Sequence, residues 1–150
     1  MALDHVLKGC ELFFELYEDE VTRILRSQEV HQYKPGEIII KQGSQGDSIY
    51  VLLEGIAQVQ KSLDNGVKID IEKLKPGEVF GLLMVLDDRP YGVDITARTR
   101  CAALEIKHSA VMDLFEKNPR IFGIIMLNIC RLLGKRLRNT YAGIAASKAR

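Results

Sequence analysis

Few residues in this 150-residue chain are placed to do covalent chemistry. The three histidines, His5, His31 and His108, are isolated from one another. No serine or cysteine stands with them in a nucleophile–base pattern, and the serines fall in turns or at helix ends. Cys10, Cys101 and Cys130 form no CxxC pair and no metal-holding spacing. An enzyme is not expected, and neither is a metal site. Two stretches remain chemically suggestive. One is the apolar run Phe80-Gly81-Leu82-Leu83-Met84-Val85-Leu86, which leads into Asp87-Asp88-Arg89-Pro90-Tyr91-Gly92-Val93. Residues 80–88 read equally as a strand or a short buried helix, and Arg89 has ready partners in Asp87 and Asp88. The other is the cluster Arg131, Lys135, Arg136 and Arg138. Its chemistry would be the salt-sensitive contact of cations with the phosphates of nucleic acid or lipid.

Composition sets the frame around these residues. The chain is 47% hydrophobic and 27% charged, ordinary for a globular protein with one real core. The formal net charge of +1 conceals a split. Residues 1–116 carry all 20 acids and 13 of the 21 Lys/Arg, a net of −7; residues 117–150 carry 8 bases and no acid, a net of +8. No apolar run approaches the roughly 18 residues that cross a bilayer. The longest, residues 121–130, is broken by Gly123 and Asn128. Asp4, His5 and Lys8 are unlike a signal peptide. Scattered cysteines, odd in number, fit reduced thiols and a cytoplasmic location.

The elements that must position these residues follow from periodicity. The opening reads as helical to about Gln28, with Leu12, Leu16, Val21, Ile24 and Leu25 as an apolar stripe and Glu18, Asp19 and Glu20 near a helix start. Residues 37–42, 48–54, 56–61, 67–74, 92–98 and 101–107 are short and rich in β-branched side chains. Turn residues separate them, as expected of a small sandwich or barrel. Asn65-Gly66 is a hairpin signal that tolerates positive φ at both central positions. Ser109 is the expected N-cap of a helix over residues 110–117, and Asn118-Pro119 restarts a helix. Gly123, Met126, Cys130, Leu133, Leu137, Thr140 and Ile144 then recur at alternating spacings of 3 and 4, a heptad seam. A second stripe, Phe122, Ile125, Ile129 and Leu132, runs beside it. Two apolar faces fit a helix that packs on its own body and on a partner; one broad face on the body is the alternative.

The string Lys34-Pro-Gly-Glu-Ile-Ile-Ile-Lys-Gln-Gly-Ser-Gln-Gly-Asp-Ser-Ile-Tyr-Val-Leu-Leu-Glu-Gly55 resembles the first half of the cyclic-nucleotide-binding domain of the CRP/FNR type. Lys75-Pro-Gly-Glu-Val-Phe-Gly81 resembles the lead into that family's phosphate-binding cassette. The likeness spans roughly residues 12–137. It implies a mainly β fold with flanking helices: an eight-stranded, jelly-roll-like β-roll closed by a long helix that dimerises in bacterial members. The implied division is N-terminal helices over 1–28, the roll over 29–108 with its cassette at 80–93, and C-terminal helices over 109–145. Gly43, Gly46 and Gly55 fall at sharp turns, where Asp47 can bond its own turn backbone.

The resemblance also places the ligand site, at Gly81, Leu82, Leu83, Arg89, Tyr91, Gly92 and Val93. The family's cassette uses a Glu for the ribose hydroxyl and an Arg for the phosphate. Here the Glu position is Leu82 and the Arg position is Tyr91. Neither can make its charged contact. Two acids, Asp87 and Asp88, stand nearby instead of a basic excess. The expectation is therefore a non-catalytic regulatory module with weak or no cAMP or cGMP binding. Its pocket is either filled by its own side chains or open to a more apolar ligand. A functional nucleotide site rescued by Arg89 or backbone amides is the alternative. Haem and iron–sulfur clusters, which some members hold, lack ligands here. The expected partners are a second copy, through Met126, Cys130, Leu133, Leu137, Thr140 and Ile144, and an output protein. Residues 143–150 leave no room for a helix-turn-helix, so direct DNA contact is not expected.

Overall fold

The computed structural model describes residues 2–150. Its eight strands are β1 (Glu29–Tyr33), β2 (Ile38–Ile40), β3 (Ser48–Glu54), β4 (Ala57–Ser62), β5 (Lys68–Leu74), β6 (Val79–Phe80), β7 (Asp94–Ala97) and β8 (Cys101–Lys107). They form two four-stranded antiparallel sheets, ordered β1-β8-β3-β6 and β2-β7-β4-β5. Four helices accompany them: α1 (Ala2–Lys8), α2 (Glu18–Leu25), α3 (His108–Lys117) and α4 (Pro119–Lys148).

The alternation along β3 and β8 explains the layers. Ile49, Val51 and Leu53, with Ala102, Leu104 and Ile106, join a core with the helices that includes Leu12, Phe13, Ile121, Ile125 and Ile129. The intervening residues, Leu52, Cys101 and Ala103, face the second sheet and pack with Ile40, Phe80 and Ile95. The first sheet is thus buried on both faces, which is why its central strands read as nearly continuous apolar runs. The second sheet ends in β5, whose residues 68–73 are exposed.

Several sequence expectations are corrected. The opening is helical in pieces: α1, a 3-10 turn at Glu11–Phe13 and α2 are separate, and Leu16 of the expected stripe lies between them. Glu18, Asp19 and Glu20 do form the first turn of α2, as expected, behind Tyr17, whose backbone N–H donates to the Glu20 carboxylate at 2.8 Å. Ser109 is not an N-cap; α3 already begins at His108, with Lys107 before it. The β4–β5 hairpin does not use two positive-φ central residues. Leu63 N–H donates to Val67 O at 2.8 Å, enclosing three residues, of which only Gly66 is left-handed at φ +85°. The Asn65 side chain instead accepts from Val67 N–H at 3.0 Å, stabilising a wider loop. Asn118 caps α4 as expected, its side chain accepting from Ile121 N–H at 3.3 Å.

Candidate functional site

The cassette stretch leaves β6 through Gly81, at φ +78°, and forms a 3-10 turn at Leu82–Val85. The open choice over residues 80–88 therefore resolves into a two-residue strand followed by a helical turn. Leu82 is buried, but its neighbours are the helix-side core rather than the roll interior. Leu83 and Leu86 are exposed. The expectation that leucines border the pocket is not what the geometry shows. Past the left-handed glycine, the first side chain turns to the opposite side of the sheet.

Arg89 is equally remote from the interior. Its side chain is 87% exposed, with Nε 3.8 Å from Asp87, while its backbone N–H donates to the same carboxylate at 3.2 Å. Tyr91, in contrast, enters the roll. Its backbone pairs with the β2–β3 loop, N–H to Ser44 O at 3.0 Å and O from Gly43 N–H at 2.8 Å. Its hydroxyl donates to Ser48 O at 2.9 Å. The ring lies so close to Gly46 that a Cβ there would sit 1.9 Å from Cε2. Gly46 is therefore needed as space for Tyr91. Gly92 accepts from the Lys61 ammonium at 2.6 Å, and Val93 packs on the roll core beside Tyr91. A cleft of about 420 Å³ remains at the mouth, between Ile38, Ile40, Gln45, Asp47, Tyr50 and Tyr91.

Sequence reasoning missed the polar centre of this inner face. Glu105, on β8, has a side chain only 14% exposed. Its carboxylate lies 2.7 Å from Ser48 Oγ, 2.9 Å from His31 Nε2, 3.2 Å from the Tyr50 hydroxyl and 3.4 Å from Lys107 Nζ. Burial alone would raise its pKa. The bonds from Ser48 and His31 and the Lys107 charge more than reverse this and hold it at about 2. Desolvation, with the Glu105 charge added, raises the pKa of Tyr33 and Tyr50; on Tyr91 desolvation and the charges of Asp47 and Glu105 outweigh the Ser48 bond. The cross-strand register that assembles the cluster pairs Tyr50 with Glu105 and Ser48 with Lys107, contacts between residues over fifty apart. The Asp47 carboxylate is not bonded to its own turn backbone; it lies 3.1 Å from Ser48 Oγ, whose single hydrogen goes to the nearer Glu105.

The long helix carries the other predicted residues. Ile121, Ile125, Ile129 and Leu132 are its body-facing stripe, with Asn128 buried among them. Met126 and Leu133 lean on the same core from the side. Cys130, Leu137, Thr140 and Ile144 are exposed. The seam therefore divides: its first half partly serves the body, and its second half faces outward with Tyr141. Burial pushes the Cys10 thiol up to about 11, despite the backbone bond at Leu12, and also raises Cys101. No group of metal-ligating side chains occurs among the described residues, and no helix there is long and apolar enough to cross a membrane. The basic cluster proposed for phosphate contact is largely engaged by the chain itself. Arg131 pairs with Glu15 at 3.2 Å, Lys135 with Glu11 at 3.2 Å, and Arg136 donates to Val79 O.

Comparison with known proteins agrees with this architecture. A family model described as the cyclic nucleotide-binding domain matches residues 30–118. The chain is 28% identical over 135 residues to a cAMP-dependent protein kinase regulatory subunit of Mycosarcoma maydis, covering 90% of this chain and 24% of that protein. It thus spans about a quarter of that relative's length. Among solved structures, a cyclic nucleotide-binding domain from Methylobacillus flagellatus superposes with a TM-score of 0.86 at 19% identity, covering 97% of this chain and 82% of the other. The catabolite activator protein of Thermus thermophilus superposes at 0.79 with 24% identity, covering 92% and 63%. These two likenesses are of fold.

Proposed function

Because the chain belongs to the cyclic nucleotide-binding domain family, we propose that it is a non-catalytic regulatory module whose roll does not hold cAMP or cGMP in the ordinary way. One observation carries this reading: Tyr91 lies inside the roll, hydroxyl on Ser48 O, at the position the family gives to its phosphate-binding arginine. The neighbouring cation does not replace it, since Arg89 turns outward to Asp87. The ribose acceptor is also missing, and Leu82 is spent on the helix-side core. Each lost charge-assisted contact costs roughly 1.5–3 kcal/mol. Two such losses weaken a micromolar site by about 10²–10⁴-fold.

Output would then pass through α4. Its exposed residues Cys130, Leu137, Thr140, Tyr141 and Ile144 support a homodimer through the second half of the helix, and a partner protein would read that dimer. The three free thiols support a reducing, cytoplasmic setting.

Titration calorimetry and thermal shift with cAMP and cGMP up to millimolar concentration test the ligand reading. The expected result is no heat and no shift in melting temperature. Saturable binding at micromolar nucleotide would overturn it in favour of a second reading, a signalling site with a non-standard cassette. The names of its kinase-regulatory relatives point that way.

A further inference from the structure

The four donors around Glu105 come from three strands: His31 on β1, Ser48 and Tyr50 on β3, and Lys107 on β8 itself. They converge on one small volume of the roll's inner face. Without the carboxylate they would be two hydroxyls, an imidazole and an ammonium directed at a common point, which is the construction of an oxyanion site. We propose that this is what they are, and that Glu105 is the site's resident anion.

The chemical consequence is selectivity. Donors that could meet an incoming carboxylate or phosphate are already used. A fixed negative charge also stands within electrostatic reach of Tyr33, Tyr50 and Tyr91 and opposes their ionisation. The same field opposes any anion placed against Tyr91. Asp47, 3.1 Å from Ser48 Oγ and 3.8 Å from Lys107, adds charge of the same sign at the rim. The Lys107 ammonium balances part of this, and His31, Ser48 and Tyr50 occupy the carboxylate oxygens, so the centre is a closed hydrogen-bonded cluster rather than an open negative hole. Its ligand class is a small monoanionic oxyanion, admitted only when the Glu105 side chain is absent. This inference deepens the reading of the roll as closed to cyclic nucleotides and rests on it for the roll interior being the ligand side.

The test is chemical rescue in the full chain. Wild type, Glu105→Ala and Glu105→Gln are melted in a phosphate-free buffer with sodium formate, and with sodium chloride at equal ionic strength. Glu105→Ala vacates the site, so formate should raise its melting temperature saturably, by about 3 °C over chloride once formate exceeds its dissociation constant roughly tenfold. Wild type keeps its own anion and Glu105→Gln keeps the volume filled, so both should respond alike to the two salts. If Glu105→Ala does not fold unaided, formate should restore its folded circular dichroism on refolding and chloride should not. Equal action of formate and chloride on Glu105→Ala, in melting or in refolding, overturns the proposal. So does formate stabilisation of wild type as large as that of Glu105→Ala. Nucleotide binding by wild type is a separate result: it would remove the earlier reading and leave the rescue outcome to be judged by itself.

Discussion

Asn128 offers the sharpest test of how the long helix is fixed to the body. It is 1% exposed, in the middle of the apolar stripe of α4. Its amide donates to Leu12 O at 3.0 Å and to Phe14 O at 2.8 Å, and its carbonyl accepts from Arg131 at 3.1 Å. Both amide hydrogens are thus committed to the 3-10 turn, just before the chain reverses at Glu15 with φ +69°. Asn128→Ala strands two backbone acceptors. An unsatisfied buried acceptor costs about 1–3 kcal/mol. The bond to Leu12 is buried and that to Phe14 only partly so, which puts the expected loss at about 2–4 kcal/mol. Asn128→Asp is nearly the same shape but donates nothing when ionised, and it turns a carboxylate toward two carbonyls. Arg131 offsets part of this. The aspartate should cost at least as much as alanine at pH 7, and its deficit should shrink in acid, where a protonated carboxyl regains one donor. Urea unfolding at pH 7 and pH 4 measures both. A loss under 1 kcal/mol for Asn128→Ala would mean that water satisfies the two carbonyls, and the claim that this side chain pins α4 would fall.

Three further outcomes are expected. Glu105 has a folded-state pKa of about 2 against an ordinary 4.5, so its contribution is complete above about pH 4.5 and is lost as pH falls toward 2. The difference corresponds to about 3 kcal/mol, and acid unfolding of Glu105→Gln should lack that part of the pH dependence. Lys107, whose ammonium faces it, has a pKa raised by the Glu105 charge and stays protonated throughout that range. Leu137 and Ile144 are 52% and 48% exposed, so Leu137→Glu with Ile144→Glu should leave helix content unchanged while light scattering falls from dimer to monomer mass. A wild-type monomer at tens of micromolar would refute that interface. Gly46→Ala puts a methyl into the Tyr91 ring and should expel it, changing the near-ultraviolet dichroism of a chain that has five tyrosines and no tryptophan. An unchanged spectrum would show that the ring is not held there.

The parts of the fold legible in the sequence are those where one physical demand dominates. β3 and β8 are buried on both faces, and their apolar runs mark residues 48–54 and 101–107 at the observed bounds. β1, with the pattern Glu-Val-His-Gln-Tyr half exposed, has no periodic signature; only its partner β8 makes it a strand. β6 is two residues long and is defined by pairing with β3 alone. In the site, the position of Tyr91 is legible only through the family resemblance, which implies that the cassette's arginine position falls directly after Pro90. The direction of Leu82 is not, since it depends on the left-handed turn at Gly81. The Glu105 cluster is invisible along the chain. His31 reads as isolated there because its partner lies 74 residues away, and only strand register brings them together.

The charge split has a similar explanation. An acidic body and a basic tail suggest a tail that seeks a polyanion or, in a dimer, a partner's acidic roll. The contacts show a nearer destination. Arg120 pairs with Glu20, Arg131 with Glu15 and Lys135 with Glu11, so the bases ascend α4 while the acids descend the N-terminal segment. This is an antiparallel ladder along one helix–segment interface. Two of them, Arg131–Glu15 and Lys135–Glu11, are exposed and contribute only about 0–1 kcal/mol each, less than the single buried amide of Asn128; the third closes on the buried carboxylate of Glu20. Their value is in register. A one-turn slip of α4 would break all three pairs and pull Asn128 from the carbonyls of Leu12 and Phe14. The uneven charge along the chain therefore encodes where α4 lies on its own body, and it is this position that leaves Leu137, Tyr141 and Ile144 exposed, on the face where the proposed dimer would form.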